Sequence, residues 1–200
     1  MGFNQHTVKF TDELTDKLGN TLVFLTDKLG WLNKTQILKL IYIIEKLSVK
    51  KLANPFFNLH FEVWQYGPVS ADLYNELSDG PELLKKYIRS THQPEGILFN
   101  KLNGISFDDN EFSEAEIQLL DSICKNYNAS ASKLVEITHD PNDLWVKTAE
   151  RNGILSDLLS GRLKTTSYTI DLSELLNEEP IRKELYIERL HSTEILNSMK

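Results

Sequence analysis

His139, Asp140 and Asp143 are the nearest this sequence comes to a cluster that could hold a metal or move a proton. A metal site needs several ligands at compatible spacing. The other histidines, His6, His60, His92 and His191, are scattered, and none forms a His-x-x-x-His pair. Asp140-Pro141-Asn142-Asp143 is also how a helix begins, because short side-chain oxygens there accept from backbone N–H groups that have no partner within the helix. Capping is the expected role, and no metal or cofactor is expected. Cys124 is the single cysteine and falls among the apolar positions of a predicted helix, where a thiol is inert packing. There is no Gly-x-Ser-x-Gly elbow, no Gly-x-Gly-x-x-Gly and no Gly-Lys-Ser/Thr, so neither an activated serine nor a phosphate cradle is written into the chain. The 29 acidic residues offer many carboxylate pairs, yet position singles out none of them for acid–base work. The expectation is a protein that is not an enzyme.

The aromatic run is more informative. Trp64, Tyr66, Gly67, Pro68, Val69 and Tyr74 lie together where an extended pattern gives way to a helical one. Two readings stand side by side: large rings bracing a tight turn, or a binding surface, since Trp and Tyr dominate the residues that carry binding energy.

The elements around this run can be read from periodicity. Leu14, Leu18, Leu22, Leu25 and Leu29 make one stripe of a helix that stops at Gly30, with Gly19 inside it at modest cost. Asn33 with Gln36 opens a second helix carrying Ile37, Leu40, Ile41, Ile44 and Leu47, its opposite side formed by Lys39, Lys46 and Lys50. Phe57, Leu59, Phe61 and Val63 alternate with polar residues as a half-buried strand does. Pro68 is placed in the first turn of the next helix, with Val69, Leu73, Tyr74 and Leu77 on its apolar side. A short helix is predicted from Glu82 to Ser90, then a small hairpin turning at Asn103-Gly104. Ser113 and Glu116 make a capping box for a further helix, and shorter helices pass through Leu134 and Ile137 and through Leu144, Trp145 and Ala149. Beyond Gly161, Tyr168, Ile170 and Leu172 alternate. Ser173 then opens an acidic helix interrupted at Pro180, and a last helix over Ile181–Met199 has Leu185, Leu190, Ile195 and Leu196 as its apolar side.

Composition sets the class. The chain has 200 residues, 40% hydrophobic, with net charge −7, which suits one packed core. An acidic balance argues against broad contact with nucleic acid phosphates; Lys46, Lys50 and Lys51 form the best basic patch and read as a solvated helix end. Met1–Phe10 lacks the pattern of a signal peptide, and no apolar run is long enough to span a bilayer, so a cytoplasmic protein away from the membrane is expected.

Phe61-Glu62-Val63-Trp64-Gln65-Tyr66-Gly67-Pro68-Val69, continued by Leu73-Tyr74, resembles the central motif of the Panacea domain, the SocA-like antitoxin family once described as a phage-associated domain of unknown function. Ile37-Leu38-Lys39-Leu40-Ile41-Tyr42 is similar to the Lys-Leu-Leu-Tyr helix of that family. Ser132-Lys133-Leu134, Thr138-His139 and Trp145-Val146-Lys147-Thr148-Ala149 resemble its later blocks, in the same order. Three departures accompany the likeness: a longer N-terminal helix, an extension after Gly161, and no glycine turn between Lys50 and Leu59.

The resemblance implies a mainly α fold, a compact helical domain with a small β element, a short strand or hairpin, to which the periodicity after Gly161 adds a C-terminal helical extension. Residues 1–32 form the N-terminal helix, 33–160 the Panacea-like core, and 161–200 an extension that packs on the core or on a partner. It also implies an antitoxin that binds and neutralises a toxin protein encoded beside it; some members are adaptors that deliver the toxin to a protease. Trp64, Tyr66, Gly67, Pro68, Val69, Tyr74, His139 and Trp145 correspond to motif positions, structural or partner-binding. The family has no established catalytic residues, so none are carried over. A small hydrolase working near His139 is the alternative from another class. Oligomeric state is left open.

Overall fold

The computed structural model describes residues 10–78 and 80–198. His6, the reading of the chain start through residue 9, and the side chains of Ile195 and Leu196 lie outside the described residues. Thr11 accepts a hydrogen bond from the Leu14 N–H at 3.2 Å and opens α1 (Asp12–Leu29), which ends at Gly30, where φ is +78°. Gly19 serves packing: a Cβ there would lie 2.0 Å from the Tyr87 ring, so the missing side chain is what lets that ring lie against the helix. Leu32–Asn33 forms the short β1, and Asn33 caps α2 (Lys34–Leu52) through the reciprocal box with Gln36.

The helix α2 passes through the interior instead of lying on it with one face. Every residue from Ile37 to Glu45 is buried, and so are Ser48 and Val49. A helix apolar nearly all round belongs inside a core. The side expected opposite the apolar stripe is therefore corrected: Lys39 is only 1% exposed, and Lys46 is turned onto Asp143. Glu45 is the second buried charge of α2. Its carboxylate accepts from the backbone N–H groups of Phe56, Phe57 and Asn58 at 3.0, 2.8 and 3.2 Å. That anchorage explains why the alternation beginning at Phe57 does not become a long strand. The chain is bent around a carboxylate, with Asn58 at φ +57°, and the strand is confined to β2 (Glu62–Trp64).

After β3 (Gly67–Val69), which pairs antiparallel with β2, comes α3 (Ala71–Glu76). Pro68 is thus a strand residue opposite Val63, not a first helical turn. The predicted helix over Glu82–Ser90 is a 3-10 turn at Leu84–Lys86 followed by β4 (Ile88–Gln93). This strand pairs with β5 (Gly96–Lys101), and β1 adds to the other edge of β5. The hairpin turns at Pro94-Glu95, so the Asn103-Gly104 placement is also corrected; Asn103-Gly104 is a separate turn after the strand. Four helices follow: α4 (Glu114–Asn126) with its Ser113–Glu116 capping box, α5 (Ala131–Thr138), α6 (Leu144–Arg151) and the unforeseen α7 (Leu155–Leu159).

The segment after Gly161 packs on this core. Tyr168 and Lys164 offer carbonyls to the N–H groups of Val63 and Gln65, at 2.9 and 2.8 Å, so the chain runs alongside β2. The expected acidic helix from Ser173 is a 3-10 segment, Leu172–Leu176, that buries Leu172 and Leu176. The last helix, α8 (Pro180–Ser198), lies by the end of α2. Arg182 donates to the Lys50 carbonyl at 2.8 Å, and Arg189 to those of Leu52 and Ala53 at 3.0 and 2.9 Å. Cationic side chains at the free carbonyls of a helix C-terminus are favourable through both hydrogen bonding and the helix dipole. The described chain is mainly α with small antiparallel β elements.

Candidate functional site

The motif residues converge on the β2–β3 hairpin, which is clamped from several sides. From α2, the Lys39 amine reaches the Pro68 carbonyl at 2.8 Å. Burial pushes the pKa of this amine down to about 7, and the charge of Asp143 pulls it back only in part. From α6, the fully buried Trp145 donates its indole N–H to the Trp64 carbonyl at 2.9 Å. His139, at the end of α5, meets Trp145 at a tilt of 48° with ring centroids 4.0 Å apart. Its Nε2 lies 3.2 Å from the Gln65 carbonyl and its Nδ1 lies 2.7 Å from that of Val135. Thr166 donates to the Val63 carbonyl at 2.7 Å from the C-terminal segment.

Gly67 is where this clamp is tightest. Its φ of +95° favours glycine, and an added Cβ would stand 2.6 Å from Thr138 Oγ1 and 3.0 Å from Lys39 Nζ. Trp64 is half-buried, with its indole N–H shared between Glu62 Oε2 at 2.8 Å and the Thr166 carbonyl at 3.2 Å. Its ring meets Tyr74 edge-on at 5.0 Å, and the Lys34 amine sits 3.9 Å over the Tyr74 ring. Val69 is buried. Tyr66 differs from the rest. It lies in the turn, its side chain is 67% exposed, and among the described residues it makes no hydrogen bond or ring contact.

Behind the hairpin lies a polar cluster that sequence reasoning did not assemble. Asp143 caps α6 through the Trp145 N–H at 3.0 Å, as its place in the Asp-Pro-Asn-Asp loop predicted. The same carboxylate also accepts from the Tyr42 hydroxyl at 2.7 Å and from Lys46 at 2.5 Å. Burial, reinforced by Asp143, raises the Tyr42 pKa well above the ordinary phenol value. The available signal was Lys39 itself, a lone cation set between Leu38 and Leu40 in an otherwise apolar run.

This arrangement holds a backbone corner; it does not aim reactive groups at a common point. Both ring nitrogens of His139 face main-chain carbonyls, and Asp140 accepts from the Asn142 N–H at 2.8 Å. Asp143 faces Tyr42, Lys46 and Trp145. The geometry thus gives the hydrolase alternative no support. Among the described residues no three His, Cys, Asp or Glu side chains are grouped to hold a metal ion, and no helix is long and apolar enough to cross a membrane. Cys124 is buried, and burial raises its thiol pKa to about 11, which disfavours the nucleophilic thiolate.

Comparison with curated proteins and with solved structures gave no match. The family model for the antitoxin SocA-like, Panacea domain matches residues 37–146, from the first turn of α2 into α6, and so takes in the clamped hairpin and all eight motif positions. The match covers more than half of the chain, which belongs to the SocA-like antitoxin family through its Panacea domain.

Proposed function

We propose that this chain neutralises a toxin encoded beside it by binding that toxin directly, without catalysis. The observation that carries the reading is the family match over residues 37–146. The clamped hairpin agrees with it, because its histidine, tryptophans and carboxylate are spent on holding backbone. Function then falls to the surface this scaffold displays.

The test is co-expression with the product of the adjacent gene, scored by bacterial growth and by pull-down. Restored growth together with a stable complex supports the reading. A harmless neighbour that does not bind refutes it. Restored growth with protease subunits in the complex and steady loss of the toxin would replace neutralisation by occlusion with delivery for degradation.

A further inference from the structure

Within residues 37–146, the stretch matched by the family model, the large apolar or aromatic side chains left exposed among the described residues are Tyr66 and Leu83. Leu83 is flanked by Glu82, and its N–H is held by the Glu76 carboxylate at 2.8 Å. The backbone on either side of Tyr66 is instead held by four distant parts of the chain. The Gln65 N–H is bonded to the Lys164 carbonyl, and the Gln65 carbonyl lies against His139. The carbonyls of Trp64 and Pro68 are taken by Trp145 and Lys39. Gly67 is wedged against Thr138. So much restraint fixes the position and direction of a turn whose one large side chain does nothing for the interior.

A rigidly held tyrosine is cheap to bind with. It offers a wide ring and a hydroxyl, has only two side-chain torsions to freeze, and its backbone ordering is already complete before association.

We propose that Tyr66 is the anchor by which this chain grips its toxin, the ring seating in an apolar hollow on the toxin surface and the hydroxyl meeting an acceptor at its floor. This rests on the antitoxin reading. A toxin is favoured over a second copy of this chain because each copy carries a net charge of −7, so two copies repel overall.

The experiment titrates the full-length chain and its variants against the purified product of the adjacent gene by calorimetry, with size-exclusion chromatography of each chain alone. Tyr66→Ala is expected to weaken binding about thirtyfold or more, the range of an anchoring residue. Tyr66→Phe should lose about tenfold, because the acceptor would be left without its donor. Ile181→Ala, which removes the most exposed apolar side chain among those described in α8, should bind like the native chain. Unchanged melting temperatures exclude misfolding as the cause. If Tyr66→Ala binds within twofold of the native chain, the proposal falls while the antitoxin reading stands. Loss of self-association without loss of toxin binding would overturn it in favour of a homodimer contact. A native chain that does not bind the product overturns the antitoxin reading, and this contact with it.

Discussion

Replacing Lys39 by Met tests the account of the buried amine beneath the hairpin. In the native chain, burial moves the amine's pKa from 10.5 to about 7, and Asp143 opposes the shift. The folded state thus holds this proton less tightly than the unfolded state does. Between about pH 7 and 10.5 the unfolded chain carries more protons, so stability rises with pH across that window, and below about pH 7 the whole penalty is present. At about 1.4 kcal/mol per pH unit, the window corresponds to about 5 kcal/mol. Methionine keeps an unbranched stem and carries no charge, so this penalty disappears with the amine. Against that, the Pro68 carbonyl loses the donor it has at 2.8 Å, and an unsatisfied buried acceptor costs about 1–3 kcal/mol. Lys39→Met should therefore be more stable than the native chain at pH 6, by about 2 kcal/mol or more. The hydrogen-bond loss is common to all pH values, so the advantage should shrink by about 3 kcal/mol by pH 9.5. Urea unfolding of both chains at pH 6, 8 and 9.5 measures this directly, with equal m-values showing that the compared states are the same. A stability difference that does not move with pH would refute the reasoning, because it would mean that the amine titrates alike in the folded and unfolded chains.

Other perturbations probe the same frame from different sides. Gly67→Ala combines a left-handed backbone with a Cβ 2.6 Å from Thr138 Oγ1, and thermal or urea unfolding should show a loss of about 3 kcal/mol or more. Gly19→Ala would favour α1 by about 1 kcal/mol on helix propensity alone. Yet its Cβ would enter the Tyr87 ring, whose hydroxyl is held by Asp16 at 2.7 Å, so urea unfolding should report a net loss of about 1 kcal/mol or more. Asp143→Ala strands Lys46 and Tyr42 and removes the cap of α6; the expected cost is about 3–5 kcal/mol. Asp143→Asn keeps the cap and an acceptor for Tyr42, so chemical denaturation should rank it between the native chain and the alanine variant.

Those features were legible in the sequence where a single local rule decided the outcome. The capping boxes at Asn33–Gln36 and Ser113–Glu116, the stop at Gly30 and the helix start at Asp143 depend on residues a few positions apart, and each is found as read. Misreadings arose where a distant partner prevailed. Pro68 satisfies the local rule for a first helical turn, but Lys39, 29 residues earlier, takes its carbonyl and keeps it in a strand. Phe57 to Val63 satisfies the alternation rule, but Glu45 gathers three of the backbone N–H groups near its start and bends it. Periodicity assigned Lys39 to the side opposite the apolar stripe because a helical wheel has only one inside and one outside. A helix enclosed on every side has no outside, and nothing in its own period announces the elements that enclose it.

The site follows the same logic. Motif residues such as Trp64, Gly67, His139 and Trp145 could be located in the sequence, but bracing and binding both stayed open until the partner of each polar atom was known. Once the partners are assigned, the two readings separate by residue. Trp64, Gly67, Pro68, Val69, Tyr74, His139 and Trp145 are engaged in hydrogen bonds, close approach or packing around one corner. Tyr66, in the same motif, has no internal engagement among the described residues. A clamp this complete on a turn this short costs buried charge at Lys39 and steric freedom at Gly67. Neither cost is needed to close a small hairpin, which ordinary turn residues accomplish alone. What the clamp adds is precision in where the turn points, and precision of that kind matters when the exposed ring must meet another surface.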